Sequence, residues 1–243
     1  MKQARSYLKS IFDEAIEQEF LARDPSRKLR IPKNLRPKDK RILTWEQLGK
    51  ALAKADRRDR LIILLDSTEA LRPSELFAIR WRTYDDANTL DLTETLYRGE
   101  IRPYGKTPKS LGKMHLPDDL ALELRAYKLE QQAVSPELVL PEAPMFPNTS
   151  GGFIDTSNYR ERVLKPLGDS VGIERLNFQV IRRTIATRAQ NLGSVKDIQS
   201  HLRHSRADTT ANEYMQALPE SVQQMVGTVY AMLTSNAGSQ MVN

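Results

Sequence analysis

The sequence predicts a mostly helical α+β domain with one small antiparallel β-sheet, and two observations carry that prediction. Apolar residues recur at helical spacing along most of the chain. Between residues 89 and 117 the pattern instead alternates and is rich in β-prone residues, with Gly99, Gly105 and Gly112 as turn signals. A chain of 243 residues is long enough to bury a core around these elements.

The front of the chain, residues 1–26, is expected to hold one amphipathic helix over residues 2–22. Its apolar side chains are spaced for one face: Leu8, Ile11, Phe12, Ala15 and Phe20. A lone helix cannot bury such a face. We therefore expect this helix to pack on the main domain, on a partner or on a further domain.

Three negative features limit the classes of protein. Acidic residues occupy positions 13, 14, 17 and 19, where an export signal needs an apolar stretch, so none is predicted. The longest aliphatic run, Leu61–Leu65, is far shorter than a membrane span. The absence of cysteine excludes disulfides and thiolate metal sites, and it fits a protein of the reducing cytoplasm.

A basic segment, residues 27–42, follows the first helix and reads as an extended linker. The whole chain has 37 basic and 31 acidic residues, a net charge of +6, which favours polyanionic partners. Within the segment eight basic residues stand against one acid: Arg27, Lys28, Arg30, Lys33, Arg36, Lys38, Lys40 and Arg41. Such a run either lies along nucleic-acid phosphates or is a solvated tether.

The main domain is predicted over residues 43–234. Thr44 and Gln47 form a capping-box signature that opens a helix over residues 45–56, and Pro73 suits the first turn of a helix over 73–82. The remaining helices are predicted over residues 59–67, 118–132, 156–167, 177–191, 195–202, 206–214 and 219–234, with a loop over 133–152. Residues 235–243 are expected to form a disordered tail.

Three short segments stand out as candidate chemistry. Residues 70–76 read ALRPSEL and place an arginine at a helix start, with a carboxylate one turn later. Residues 179–184 read QVIRRT at the opening of a second helix. Residues 202–205 read LRHS, and TTANEY follows at 209–214. Each segment alone is typical of a surface ion pair, a cap or a core side chain, so only their joint order is informative.

That order resembles the tyrosine recombinases, also called the phage integrase family, over roughly residues 43–234. The family's first arginine box, Gly-Leu-Arg-x-x-Glu-Leu, matches at Arg72, with Glu75 as the supporting carboxylate. Its β-hairpin lysine matches at Lys106, with Leu116-Pro117 at the expected distance. The resemblance implies a recombinase catalytic-domain fold, of the kind that integrases of phages and mobile elements share.

The remaining family boxes match in the second half of the chain. The His-x-x-Arg-[His/Arg]-Thr box falls on residues 179–184 and gives Arg182 as the second arginine. The Leu-Gly-His-Ser box gives His204, and the Thr-Thr-x-x-x-Tyr ending gives Tyr214 as the nucleophile. Lys109 and Arg183 are added to the basic linker residues as expected DNA contacts.

The residue types suit phosphodiester cleavage. A tyrosine can serve as a covalent nucleophile. Two arginines can bind the non-bridging phosphate oxygens and offset the charge that grows in the transition state. A lysine can give its proton to the departing 5′-hydroxyl, and a histidine can hold the phosphate or tune the tyrosine. The product is a 3′-phosphotyrosyl enzyme, and neither metal, ATP nor another cofactor is required.

Two departures from the family pattern affect the expected activity. Gln179 stands where the family has histidine or lysine, and a glutamine can donate a hydrogen bond but cannot exchange a proton. We therefore expect reduced cleavage, or a site in which other groups take over. Residues 1–26 match at most the last helix of the family's N-terminal DNA-binding domain, so weaker DNA binding is expected.

The resemblance implies double-stranded DNA as the partner and a homo-oligomer assembled on it. Helix 219–234 has Val222, Val226, Val229, Tyr230 and Leu233 on one side, and either packs on its own domain or exchanges with a neighbouring subunit.

The main alternative is a DNA-binding or recombinase-docking module of the same fold without turnover. A nucleotide-binding loop at Gly105-Lys106-Thr107 is not favoured, because position 100 is Glu100 rather than glycine. A metal site at His201 and His204 lacks a third ligand, so His201 is expected at the helix surface or core edge.

Overall fold

The structure, a computed structural model, describes residues 2–30, 41–105, 111–188, 197, 200–202 and 219–238. The chain separates into two compact units, Met1–Lys40 and Arg41–Asn243. The finer division predicted from the sequence, with boundaries after residues 26, 42 and 234, stays a prediction. Among the described residues, no helix combines the length and the apolar character that crossing a lipid bilayer requires.

The first unit contains helix α1, Lys2–Glu17, followed by a 3₁₀ turn, Pro25–Lys28. The helix ends five residues before its predicted end at residue 22. Glu19 has a left-handed backbone (φ 60°), and Phe20 closes the end by donating its backbone N–H to the carbonyl of Ala15. The apolar residue Phe20, which the sequence placed on the helix face, is exposed.

The second unit begins with α2, Trp45–Lys54, and α3, Arg57–Glu69. The predicted capping box is confirmed, because Gln47 and Thr44 exchange hydrogen bonds between side chains and backbone at 3.0 and 3.1 Å. Every residue from Leu61 to Glu69 is buried. The predicted buried helix is therefore the central helix of the core.

Helix α4 is a single turn, Pro73–Leu76, and the predicted helix over 73–82 is wrong in length. After α4 the backbone is no longer helical and pairs with a distant segment. The carbonyl of Ile79 accepts from the backbone N–H of Met145 at 2.9 Å, and Arg80 forms an antiparallel β-bridge with Pro144. Residues 76–79 are buried on all sides rather than on one helical face. The apolar run therefore looked helical in the sequence but is a buried turn.

The β-region forms two two-stranded antiparallel sheets instead of one. Strand β1, Thr89–Leu92, pairs with β4, Gly112–His115. Strand β2, Thr95–Tyr97, pairs with β3, Glu100–Arg102. A two-residue turn joins β2 to β3. These two strands hydrogen-bond to each other and not to β1 or β4.

The rest of the described chain is mainly helical. The helices are α5 Asp118–Val134, α6 Thr156–Tyr159, α7 Lys165–Ser170, α8 Phe178–Arg188 and α9 Pro219–Gly238. Helix α5 is followed by a 3₁₀ turn, Pro136–Val139, inside the region predicted as loop. A π-helical turn, Arg160–Leu164, joins α6 to α7. The helix predicted over 206–214 lies outside the described residues.

Helix α9 packs on α2 and α3 of its own chain. Val226, Val229 and Leu233 are buried there. The hydroxyl of Tyr230 donates to the carboxylate of Glu123 on α5 at 2.8 Å. Of the two arrangements open from the sequence, this structure shows packing on the helix's own domain.

Candidate active site

Arg72 is held by the carboxylate of Glu75 at the start of α4. The backbone N–H of Arg72 donates to Glu75 Oε2 at 2.9 Å, and its guanidinium donates to Oε1 at 2.7 Å. The Glu75 side chain is 1% exposed, whereas that of Arg72 is 22% exposed. The buried carboxylate therefore fixes one edge of the guanidinium while part of the arginine side chain faces solvent.

The turn before Arg72 carries backbone strain. Ala70 ends α3 with φ 47° and ψ 47°, the left-handed conformation, and is fully buried. This conformation costs a residue with a Cβ about 1–2 kcal/mol and suits glycine. The family box quoted above has glycine at this position, and the backbone shape explains why. Ala70 keeps that shape because it is packed on all sides.

Helix α8 presents the second group of candidate residues. Asn177 caps it, since its side-chain oxygen accepts from the backbone N–H of Val180 at 3.0 Å. Phe178, Val180, Ile181 and Ile185 are buried and hold the helix against the core. Gln179 is exposed and Arg182 is half-buried. Because these two residues are three apart, they lie on the same side of the helix.

The segments that carry the two arginines converge on Leu202. The guanidinium of Arg182 donates to the backbone carbonyl of Leu202. The buried side chain of Leu202 packs in one cluster with Ala70, two residues before Arg72. The chain reaches His204 two residues after Leu202. The structure thus brings Arg182, the turn before Arg72 and Leu202 to one place.

An aromatic triad locks the same two segments together. Phe77, just after α4, lies 5.5 Å from Phe178 at the start of α8, measured between ring centroids. Tyr159 contacts both rings at 5.1 and 5.7 Å. Burial raises the pKa of Tyr159 well above its ordinary value, so the ring stays neutral in this core. No local pattern in the sequence predicts this triad, because its members are far apart in the chain.

The first residues of the second unit are hydrogen-bonded to α8. The backbone N–H of Leu43 donates to the hydroxyl of Thr184 at 2.9 Å, and Arg188 donates to the carbonyl of Leu43 at 3.1 Å. Arg183 donates to the carbonyl of Arg41 at 3.3 Å. We call this set, Arg41, Leu43, Arg183, Thr184 and Arg188, the linker clamp. Thr184 belongs to the second arginine box, but no role was predicted for its side chain.

Two of the predicted DNA contacts also have partners within the protein. Arg183 makes the clamp contact just described, and the guanidinium of Arg41 donates to the backbone carbonyl of Glu174 at 2.7 Å. In the first unit three predicted contacts are exposed: Arg27, Lys28 and Arg30. That these residues bind DNA stays a prediction.

Several candidate residues lie outside the described part of the chain. They are the catalytic candidates Lys106, His204 and Tyr214, and the basic residues Lys33, Arg36, Lys38, Lys40 and Lys109. Their roles stay predictions. His201 is described and is buried, which fits the core side of the predicted alternatives. Among described residues, no three or more His, Asp or Glu side chains are grouped as a metal site would require.

The sequence profile of the phage integrase family matches residues 41–221 of the chain. A tyrosine recombinase XerC-like protein of Caldanaerobacter subterraneus subsp. tengcongensis is 25% identical over 255 residues, covering 94% of this chain and 65% of that protein. The chain thus spans slightly less than two thirds of that relative.

Solved structures show the same fold. The integrase of transposon Tn1549, in complex with transposon right end DNA, has a TM-score of 0.69 at 20% identity, covering 91% of this chain and 76% of that chain. XerA recombinase has a TM-score of 0.56 at 22% identity, covering 83% of this chain and 69% of that chain. The mostly helical architecture with small antiparallel sheets is therefore confirmed.

Proposed function

The chain belongs to the phage integrase family, and we propose that it cuts and rejoins DNA at specific sites through a covalent 3′-phosphotyrosyl intermediate. One observation carries the proposal most directly. The segments of Arg72 and Arg182 meet at Leu202, two residues before His204. Two guanidinium groups whose segments meet, followed closely in the chain by a histidine, are the residue types that suit a phosphate ligand.

In the proposed reaction the two arginines bind the non-bridging oxygens of one DNA phosphate. The phenol of Tyr214 loses its proton to water as its oxygen forms a bond to phosphorus, and the bond from phosphorus to the 5′-oxygen breaks. Lys106 gives its proton to that departing oxygen, while His204 holds the phosphate. A 5′-hydroxyl of a second strand then reverses the step, so the linkage is restored without metal or ATP.

Gln179 has the role of a hydrogen-bond donor in this scheme. It lies one helical turn before Arg182 on the same side of α8 and is exposed. Its amide N–H can donate to a phosphate oxygen, but it cannot pass a proton on. We expect the chain to bind the phosphate fully and to cleave it more slowly than a chain with histidine there.

Double-stranded DNA is the proposed partner, since the Tn1549 integrase of the same fold was solved on transposon end DNA. The chain's net charge of +6 supports a polyanionic partner, and we place its work in the cytoplasm. We also propose a homo-oligomer on DNA. Exchange of α9 between subunits requires the helix to detach from α2 and α3, against which Val229 and Leu233 are buried in this structure.

Trapping of a covalent adduct tests the proposal. The intact chain is incubated with a nicked suicide substrate drawn from a random-sequence duplex library, and attached DNA is detected after denaturation. The wild type is expected to form adducts, and Tyr214→Phe to form none while it still binds duplex DNA. Adducts that persist in Tyr214→Phe would refute the nucleophile. Binding without any adduct in the wild type would indicate the binding-module alternative.

A further inference from the structure

The β2–β3 hairpin carries an exposed cluster of one aromatic ring and two guanidinium groups. The ring of Tyr97 is 46% exposed. The guanidinium carbon of Arg102 lies 4.1 Å from its centroid, and that of Arg98 lies 5.3 Å from it. Both distances are within the range of cation–π attraction. We call Tyr97, Arg98 and Arg102 the hairpin cluster.

Neither arginine of the cluster is neutralised by a carboxylate in the described part of the chain. The ion pairs of nearby arginines show the contrast: Arg80 and Arg82 share Glu94 at 3.0 and 2.6 Å. Glu100 lies on the same hairpin, but no ion pair within 4.0 Å joins it to Arg98 or Arg102. Within the described part of the chain, the guanidinium groups of Arg98 and Arg102 are therefore held by contact with the Tyr97 ring and not by an ion pair with a carboxylate.

The backbone conformation at the hairpin tip favours a residue other than arginine. Arg98 and Gly99 form the two-residue turn with φ 52° and 84°. A turn with positive φ at both positions favours Asn-Gly, and an arginine at the first position is strained. Strain that persists at an exposed tip is a reason to look for a function of the side chain. Here the strained residue contributes a charge.

The base of the hairpin is fixed to the core beside Arg72. Leu96 and Ile101 are partners in register and pack toward the core, which leaves Tyr97 and Arg102 on the opposite face. The hydroxyl of Thr95 donates to the carbonyl of Tyr104 at 2.8 Å and ties the two arms together. Strand β2 packs on α4, the helix that begins directly after Arg72. The cluster therefore projects from an anchored arm next to the proposed phosphate site.

We propose that the hairpin cluster is a second DNA-contact site, in which Arg98 and Arg102, held on Tyr97, bind backbone phosphates of the duplex beside the phosphate that Arg72 binds. This inference rests on the proposed function, since it assumes duplex DNA at Arg72. Guanidinium groups recognise phosphates by bidentate hydrogen bonds. The cluster contacts the backbone and not the bases, so its contribution is independent of sequence.

The salt dependence of duplex binding tests the site in the intact chain. Each phosphate contact contributes about 0.9 to the slope of log affinity against log salt concentration. Arg98→Asn with Arg102→Gln is expected to make the slope less steep by about 2. Asparagine suits the turn, so the variant keeps the hairpin. Arg102→Gln alone leaves the turn unchanged and is expected to reduce the slope by about 1.

The matched control removes the same charge elsewhere. Arg160→Gln with Lys165→Gln affects two exposed residues that pair with Glu161, and it is expected to leave the slope unchanged. Tyr97→Phe is expected to behave as wild type, because the ring remains, whereas Tyr97→Ala should reduce the slope. A hairpin variant whose slope equals that of the wild type, or a control that loses as much, would overturn the proposal. Absence of adducts in the wild type would count against the proposed function instead.

Discussion

The carboxylate of Glu75 bonds to both ends of Arg72, the backbone N–H at 2.9 Å and the guanidinium at 2.7 Å. A single buried side chain thus sets the start of α4 and the direction of the arginine. The sequence showed the carboxylate one turn after the arginine, and the family resemblance gave Glu75 its supporting role. Its effect on stability and on phosphate binding can be separated by substitution.

Glu75→Gln is expected to destabilise the chain by about 1.5–3 kcal/mol, the range for a hydrogen bond that involves a charged group. It is also expected to lower adduct formation, since the guanidinium is no longer held. Denaturant unfolding and adduct yield measure the two effects. Glu46→Gln removes the exposed pair with Lys50 and serves as control, with an expected loss of stability much smaller than that of Glu75→Gln. Equal effects of the two substitutions would contradict the role given to Glu75.

Thr184→Val is expected to open the linker clamp. The hydroxyl of Thr184 accepts from the N–H of Leu43 at 2.9 Å and donates to the carbonyl of Val180 at 2.8 Å. Valine has the same shape but no acceptor, and a buried N–H without a partner costs about 1–3 kcal/mol. Hydrogen exchange of the Leu43 amide is therefore expected to accelerate. Thr184→Ser keeps the acceptor and should retain the protection; if both variants exchange equally fast, the clamp is not what protects the amide.

Tyr230→Phe is expected to alter how stability depends on pH. Burial and the hydrogen bond to Glu123 raise the pKa of Tyr230 above its ordinary value of about 10. A group whose pKa is raised by folding contributes its full stability below the unfolded value and loses it as pH rises through the folded value. The wild type should therefore lose stability above about pH 10 relative to Tyr230→Phe. Urea unfolding at two pH values on either side of 10 measures this, and parallel losses in both proteins would contradict it.

Local signals in the sequence predicted local structure correctly. The capping box at Thr44 and the buried helix α3 both depend on residues within a few positions of one another. Apolar periodicity predicted the mostly helical architecture, and the family resemblance added the roles and the order of the site residues. The glycine that begins the family's first arginine box is also explained, because Ala70 at that position has a left-handed backbone.

Features that depend on distant partners were missed. Helix α4 ends early because Ile79 pairs with Met145, about 66 positions away. The backbone contacts of Arg41 and Arg183 were also not predicted: each side chain donates to a backbone carbonyl in the fold. The aromatic triad brings Phe77 to Phe178 across about 100 positions. Spacing along the chain cannot reveal such contacts, since they are set by packing.

Gln179→His is expected to raise the rate of cleavage. Gln179 is exposed on the side of α8 that carries Arg182, so a histidine there can reach the same phosphate. Proton transfer by a positioned side chain contributes roughly 10²–10⁴-fold, and a gain at the low end, about 100-fold, is expected without further adjustment of the site. Single-turnover adduct formation on a nicked suicide substrate measures the rate.

A true proton-transfer role has a second signature. The rate of the Gln179→His variant should depend more steeply on pH near 6.5, the ordinary pKa of histidine, than the rate of the wild type, which has His204 alone in the site. Gln179→Leu removes the hydrogen bond without adding a titratable group, and is expected to be slower than wild type. If histidine gives neither a gain nor a new pH dependence, the site already supplies the proton from elsewhere, and Gln179 then acts only by binding the phosphate.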